Sequence, residues 1–237
     1  MINIMSHLNR LKRHSSGFTL IELLVVISII LIASSIIFIG GNGGDGAALS
    51  SAQRITSGIA QGARGQAILK NADTYLIIHN DPSELDKYRR FFGIIYADPD
   101  NAGKWLAATQ GTYLPEGIYF DAATSSNLSG SDWSDSTNTL RLEYPRASAQ
   151  SPGSGSQYFY YGFNSNGTSK NSNAYLVLAA ATMIPDTNGT EVGSLTVDLD
   201  QQGLRAGMIF RRAGTTTMID EPDAVPPGGG SSETAIK

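Results

Sequence analysis

The sequence predicts an α+β protein, with a long N-terminal helix followed by a head built on a mainly antiparallel β-sheet. Three observations lead there. Residues 20–39 form a nearly unbroken apolar run; residues 47–70 repeat apolar positions at threes and fours; and beyond Asn71 the pattern changes to short β-rich runs separated by turn-forming residues. At 237 residues, with no internal repeat, the chain suits one ordinary domain plus an anchor.

The apolar run LIELLVVISIILIASSIIFI is polar only at Glu22, Ser28, Ser34 and Ser35. As a helix rising about 1.5 Å per residue it would span roughly 30 Å, the thickness of a bilayer's hydrocarbon core. Arg10, Lys12 and Arg13 precede it, and Asp45 is the first charge after it. That asymmetry places the N-terminus in the cytoplasm and the rest of the chain outside. A secretory signal peptide would have a shorter apolar core ending at a small-x-small cleavage site. A plain signal anchor fits the length but leaves Glu22 unexplained, because a carboxylate inside an apolar helix is costly without a partner. A cut between Gly17 and Phe18 would supply one, by creating an α-amino cation on Phe18 four residues before Glu22. The pair could form within one helix or between neighbouring subunits, where it would set register.

The segment SSGFTLIELLVVISIILIASSI, preceded by basic residues, resembles the class III signal of type IV pilins and type II secretion pseudopilins. The resemblance implies a leader peptide over 1–17, removed by a prepilin peptidase that cuts after Gly17. It also implies N-methylation of Phe18 and an assembly role for Glu22, with residues 18–39 as the transmembrane and assembly helix. Loss of the leader would leave the 21 Asp and Glu intact and remove three of the 17 Lys and Arg, shifting the net charge from −4 to about −7. Such an acidic body, in which Arg89-Arg90 and Arg211-Arg212 are the adjacent basic pairs, argues against a nucleic-acid surface.

Residues 40–46, GGNGGDG, read as a glycine-rich joint that breaks the helix, since each glycine costs about 1 kcal/mol relative to alanine. The head is expected over 47–220. It begins with an amphipathic helix over 47–70, whose apolar positions are Leu49, Ala52, Ile55, Ile59, Ala63, Ala67 and Ile68. Strands are expected at 74–79 and 90–96, around a loop carrying Asp81-Pro82. Weaker candidates lie at 104–108, 117–120 and 140–144. Residues 121–138 read as a polar low-complexity loop and PRASAQSPGSGS as a linker.

Residues 157–182 place two β-rich runs either side of an Asn/Ser/Gly turn at Asn166-Gly167, a hairpin signal. Phe159, Phe163, Gly167 and the run 175–178 resemble the body motif of minor pseudopilins related to the H subunit of type II secretion. The stretches 194–199 and 207–211 resemble that domain's closing strands. The Pro/Gly/Ser-rich tail 221–237 is expected to be disordered.

The chain has no cysteine, so disulfides, thiolate metal sites and a cysteine nucleophile are excluded. Beyond the leader His79 is the single histidine, and no G-x-S-x-G elbow occurs. Asp98 to Gly103 has the opening of a calcium loop, but Thr109 stands where the bidentate glutamate belongs, so a turn is expected. Asp198 and Asp200 read as a solvated strand face, and the aromatic group Tyr158 to Phe163 as core.

The expectation is therefore a non-enzymatic minor pseudopilin: a structural subunit of a type II secretion pseudopilus with no cofactor and no metal. Its expected partners are other pseudopilins, the prepilin peptidase/methyltransferase and inner-membrane platform proteins. It would span the inner membrane once, with a periplasmic head. The competing readings are a minor type IV pilin of a surface fibre used for adhesion or DNA uptake, and a signal-anchored periplasmic enzyme in which Glu22 is incidental.

Overall fold

The structure, a computed structural model, describes residues 20–28, 43–184, 194–196 and 204–225. The chain divides into two units, residues 1–42 and 43–237.

In the first unit, helix α1 covers residues 20–28. Its side chains from Leu20 to Ile27 are all exposed, and Ser28 Oγ turns back to donate to Leu24 O at 2.8 Å. No helix among the described residues is long and apolar enough to cross a membrane. Residues 29–39 of the apolar run lie outside them.

The second unit opens with α2 (Gly43–Lys70). Residues 43–46, read from sequence as part of a joint, are its first turns. Asp45 there faces the positive end of the helix dipole, and packing of the stripe from Leu49 onward outweighs the low propensity of the glycines. That stripe buries Leu49, Ala52, Gln53, Thr56, Ala60, Ala63 and Ala67, at threes and fours. Ile68, read as part of it, points out. The helix stops at Asn71, which takes a left-handed φ of 48° while Ala72 N donates to Ala67 O at 3.2 Å, closing a Schellman-type cap.

Two antiparallel sheets follow. The strands of the first are β1 (Thr74–His79), β2 (Phe91–Ala97), β3 (Trp105–Ala107), β4 (Thr112–Tyr113), β6 (Thr139–Leu142) and β7 (Ser156–Phe163). They run in the order β3-β2-β1-β7-β6, with β4 also on β2. The second sheet has the order β12-β11-β8-β5, from β5 (Ile118–Phe120), β8 (Tyr175–Ala180), β11 (Arg205–Phe210) and β12 (Thr216–Ile219). A separate pair joins β9 (Thr182–Ile184) to β10 (Ser194–Thr196).

Strand alternation divides the aromatic-rich residues between two clusters. Leu76, Ile78, Phe92, Ile94, Phe159, Tyr161 and Phe163 face the alanine stripe of α2, together with Leu176, Leu178, Met208 and Phe210 of the second sheet. Ile77, Phe91, Ile95 and Tyr158 form a second cluster on the opposite face of the first sheet. The expected core role of the aromatic group from Tyr158 to Phe163 is met on both faces.

Further sequence expectations fail, each for a tertiary reason. The hairpin does not form. Asn164 and Thr168 close a small turn over Gly167, which sits at φ 80°, but β7 pairs with β1 and β6 while β8 pairs with β11 and β5. The segment thus crosses from one sheet to the other.

The polar stretch 121–138 contains α3 (Ala122–Ser129), N-capped by Asp121, whose Oδ1 accepts Thr124 N at 3.0 Å. Its serines do the work of a strand. Ser125 and Ser129 accept the N–H groups of Val177 and Tyr175 at 2.9 and 2.8 Å, satisfying β8 where β5 has ended. Trp133 then enters the core, stacks on Tyr161 at 4.9 Å and donates to Tyr160 O at 2.9 Å.

The expected linker 145–156 is a strap over the second face of the first sheet. Just ahead of it, Tyr144 settles on Gly93, where a Cβ would come within 2.5 Å of the ring, and donates to Thr109 O at 2.6 Å. Gln150 exchanges backbone hydrogen bonds with Trp105 on β3, and its amide pairs with the backbone of Glu143. Gly153 N returns to Arg141 O on β6 at 2.9 Å. One loop thereby satisfies both edge strands. The tail is ordered at its start: Pro222–Ala224 forms a 3-10 turn, and Val225 packs beside Tyr175 and Ile209. Residues 226–237 lie outside the described residues.

Candidate functional site

Gly17 and Phe18 lie outside the described residues. Glu22 lies on the exposed α1, among Leu20, Ile21, Leu23 and Leu24, which are 81%, 70%, 58% and 53% exposed. A helix with large apolar side chains all round its surface buries none of them within its own unit, so its driving force for association is unspent.

In the second unit, the residues that could carry chemistry make local structural contacts. His79 is fully buried at the end of β1, edge-on to Tyr158 at 5.1 Å. Its Nε2 stands 3.4 Å from Glu84 Oε1, and Asp81 N approaches its Nδ1. Burial pushes the imidazole below its ordinary pKa, against the opposing pull of Glu84. Ser156 Oγ donates to Glu84 Oε1 at 2.6 Å, so serine and histidine meet the carboxylate and not each other. A histidine-assisted serine nucleophile needs the serine on the imidazole. Glu84 also pairs with Lys87; these hydrogen bonds, led by that from Lys87, hold its carboxyl down at about 2. The Glu84–Lys87–Ser156 cluster went unread in the sequence, where its signal was the charged pair three residues apart inside the 80–90 loop.

Asp98 shapes the turn between β2 and β3, accepting Asp100 N at 2.9 Å and Asn101 Nδ2 at 2.8 Å, with Gly103 at φ 79°. Those hydrogen bonds, led by the one from Asn101, lower its pKa. This is the turn read from sequence. Asp198 and Asp200 lie outside the described residues. Among the described residues no group of three or more His, Cys, Asp or Glu could hold a metal ion.

Residues 12–38 match the family described as the prokaryotic N-terminal methylation motif, a stretch that takes in Lys12, Arg13, the Gly17-Phe18 junction and Glu22. The chain therefore carries this motif at the head of an α+β body. Among solved structures it is similar to two of the minor pseudopilin EpsH from the type 2 secretion system of Vibrio cholerae. One gives a TM-score of 0.37 at 12% identity, covering 73% of this chain and 96% of that one. The other gives 0.36 at 16% identity, covering 73% and 94%. No curated protein matches the chain.

Proposed function

We propose that the chain is a minor pseudopilin, a structural subunit of a type II secretion pseudopilus. The observation that carries this reading is the methylation motif over 12–38, with Glu22 set inside its apolar run. In this reading a prepilin peptidase cuts after Gly17 and the new amine of Phe18 is methylated. The Glu22 carboxylate then meets the N-terminal cation of a neighbouring subunit as the helices pack. The helix of residues 18–39 holds the subunit in the inner membrane before assembly, with the leader in the cytoplasm and the head in the periplasm. The subunit's partners are other pseudopilins, the processing enzyme and the platform proteins of the secretion machine. Its role is structural and not enzymatic.

The body pattern of Phe159, Phe163 and Gly167 favours the secretion subunit over a surface-fibre pilin. Mass spectrometry of the mature N-terminus tests the reading. A chain beginning at N-methylated Phe18 supports it, and an uncut chain beginning at Met1 overturns it.

A further inference from the structure

We propose that the head carries a pocket for a carboxylate on a short apolar stem, built around Arg89 at the seam between the two sheets. The inference stands on the head alone and does not depend on the assembly reading.

Arg89 N donates to His79 O and its carbonyl accepts Phe120 N, both at 2.8 Å, so the residue ties the end of β1 to β5. It does so at φ 54°, a left-handed conformation that suits glycine and is uncommon for a long side chain. A glycine would relax the backbone here, yet the chain places an arginine, and such strain collects where a side chain has a task.

The guanidinium lies over the Tyr88 ring at 5.1 Å, and its Nε is buried without a hydrogen-bond partner. Among the described residues the Arg89 side chain makes no ion pair. The carboxylate that lines the same cavity is engaged elsewhere. Asp121 accepts Thr124 N and Oγ1 and faces Arg205 Nε at 3.3 Å. Arg90, whose guanidinium lies over Tyr119, has a second buried Nε without a partner. Arg90 donates through Nη2 to Leu114 O at 3.3 Å, whereas the guanidinium of Arg89 has no carboxylate of its own among the described residues.

Arg89 lines a cavity of about 110 Å³ with Tyr119, Asp121, Ala123, Ala179 and Ala181. Arg89 is half-buried, and leaving its buried Nε–H without an acceptor is costly; the planar fork of arginine matches a carboxylate. The alanine walls suit one or two methylenes behind that carboxylate. The backbone bonds on both sides of Arg89 fix its Cα, and the Tyr88 ring lies under its guanidinium, which restricts the fork before any ligand arrives and lowers the entropic cost of binding. The carboxylate could belong to a free small acid or to a glutamate side chain of a protein.

The test is thermal unfolding of the full chain in detergent micelles, followed by tryptophan fluorescence at fixed ionic strength. Propionate is the probe, and propionamide, inorganic phosphate and N-acetylglutamate amide are the comparators. Propionate is expected to raise Tm with concentration, as a ligand of the folded state must, while propionamide leaves it unchanged. Arg89→Gly is expected to abolish the propionate response while unfolding no earlier than the parent, because it relieves the positive φ. Arg89→Asn, which also tolerates that conformation, serves if the glycine variant fails to fold. Arg89→Lys keeps the charge and loses the fork, and should weaken the response by roughly tenfold. A stronger response to N-acetylglutamate amide assigns the pocket to a protein side chain, and a response to propionate alone assigns it to a free acid. The proposal is overturned if propionate gives no shift, if propionamide or phosphate matches it, or if the shift survives in Arg89→Gly.

Discussion

Helices α1 and α2 are both apolar on the surface that matters, yet they are built for opposite surroundings. In α1 the side chains are large and turned outward, from Leu20 at 81% exposure to Val26 at 45%. In α2 the contact stripe is small and sealed, with Ala52, Ala60, Ala63 and Ala67 all fully buried. The difference lies in what each surface expects to meet. Alanine lets a helix approach two pleated sheets closely, so that Phe92, Phe163 and Phe210 supply the bulk from the other side. Leucine, isoleucine and valine on α1 carry their own bulk and need lipid tails or neighbouring helices to cover it. One helix is covered by the fold; under the proposed function, the other is covered in the membrane or the assembled fibre.

The largest effect that would break this comparison is at Glu22. Under the proposed assembly, Glu22→Ala should leave cleavage after Gly17 intact while incorporation into the fibre falls by at least about tenfold, since an apolar-embedded charge loses its partner. Both tryptophans, Trp105 and Trp133, lie in the second unit, so their fluorescence reads the head alone and should give the parent's melting curve. A mutant that assembles normally in crosslinking and fractionation would remove Glu22 from the mechanism. A mutant whose head melts earlier would show that the two units are not independent.

A smaller effect sharpens the other side of the comparison. Ala63→Leu forces bulk into the sealed contact and should cost about 1–3 kcal/mol, lowering the Tm of the head by roughly 2–10 °C. Gly65, two residues on, is exposed, and a Cβ there meets nothing within 4 Å. Gly65→Ala should therefore stabilise by about 0.5–1 kcal/mol through helix propensity alone. If both substitutions moved the melting curve alike, the alanine stripe would not be setting the approach of the sheets.

How much of this was legible in the sequence follows from whether the information was local. The Gly17-Phe18 junction, the Glu22 carboxylate and the apolar run sit within two dozen residues, and their order alone defines the motif. The strands expected at 74–79 and 90–96 announce themselves by β-rich composition, and the turn at Asp98 by its Asp, Asn and Gly. The strap could not be read, because Pro145, Gly153 and Gly155 have the composition of a linker; what fixes it is Tyr144 seated on Gly93, fifty-one residues away. The serines of α3 looked like low complexity until β8 presented the N–H groups of Tyr175 and Val177 to them. The turn at Gly167 was read correctly and its consequence was not, since pairing depends on which sheet has room for β8. Arg89 was noted as half of a basic pair, but its left-handed backbone and unpartnered Nε exist in three dimensions alone.

The smallest effect expected is a pH dependence confined to the head. His79 is fully buried, in a T-shaped contact with Tyr158, with Asp81, Glu84 and Lys87 of the following loop around it, and Ser156 reaching it through Glu84. Its folded-state pKa is lowered, chiefly by burial. The unfolded chain therefore binds the proton first, and stability is fully present above the ordinary value near 6.5 and falls as pH drops through the lowered one. Glu84 has the same sign by a different cause. Its carboxyl is held down to about 2 by hydrogen bonds from Lys87 and Ser156, so its contribution is present above the ordinary value of 4.5 and is lost as pH falls toward 2. Its side chain is 37% exposed, and solvent screening keeps that contribution small. The fluorescence-detected Tm should accordingly decline in two stages on acidification. His79→Gln should flatten the first stage and leave the second, whereas Glu84→Gln should flatten the second. A single transition unaffected by His79→Gln would mean that the imidazole is protonated as easily in its buried site as in water, and that the packing of Tyr158 against it does not resist charge.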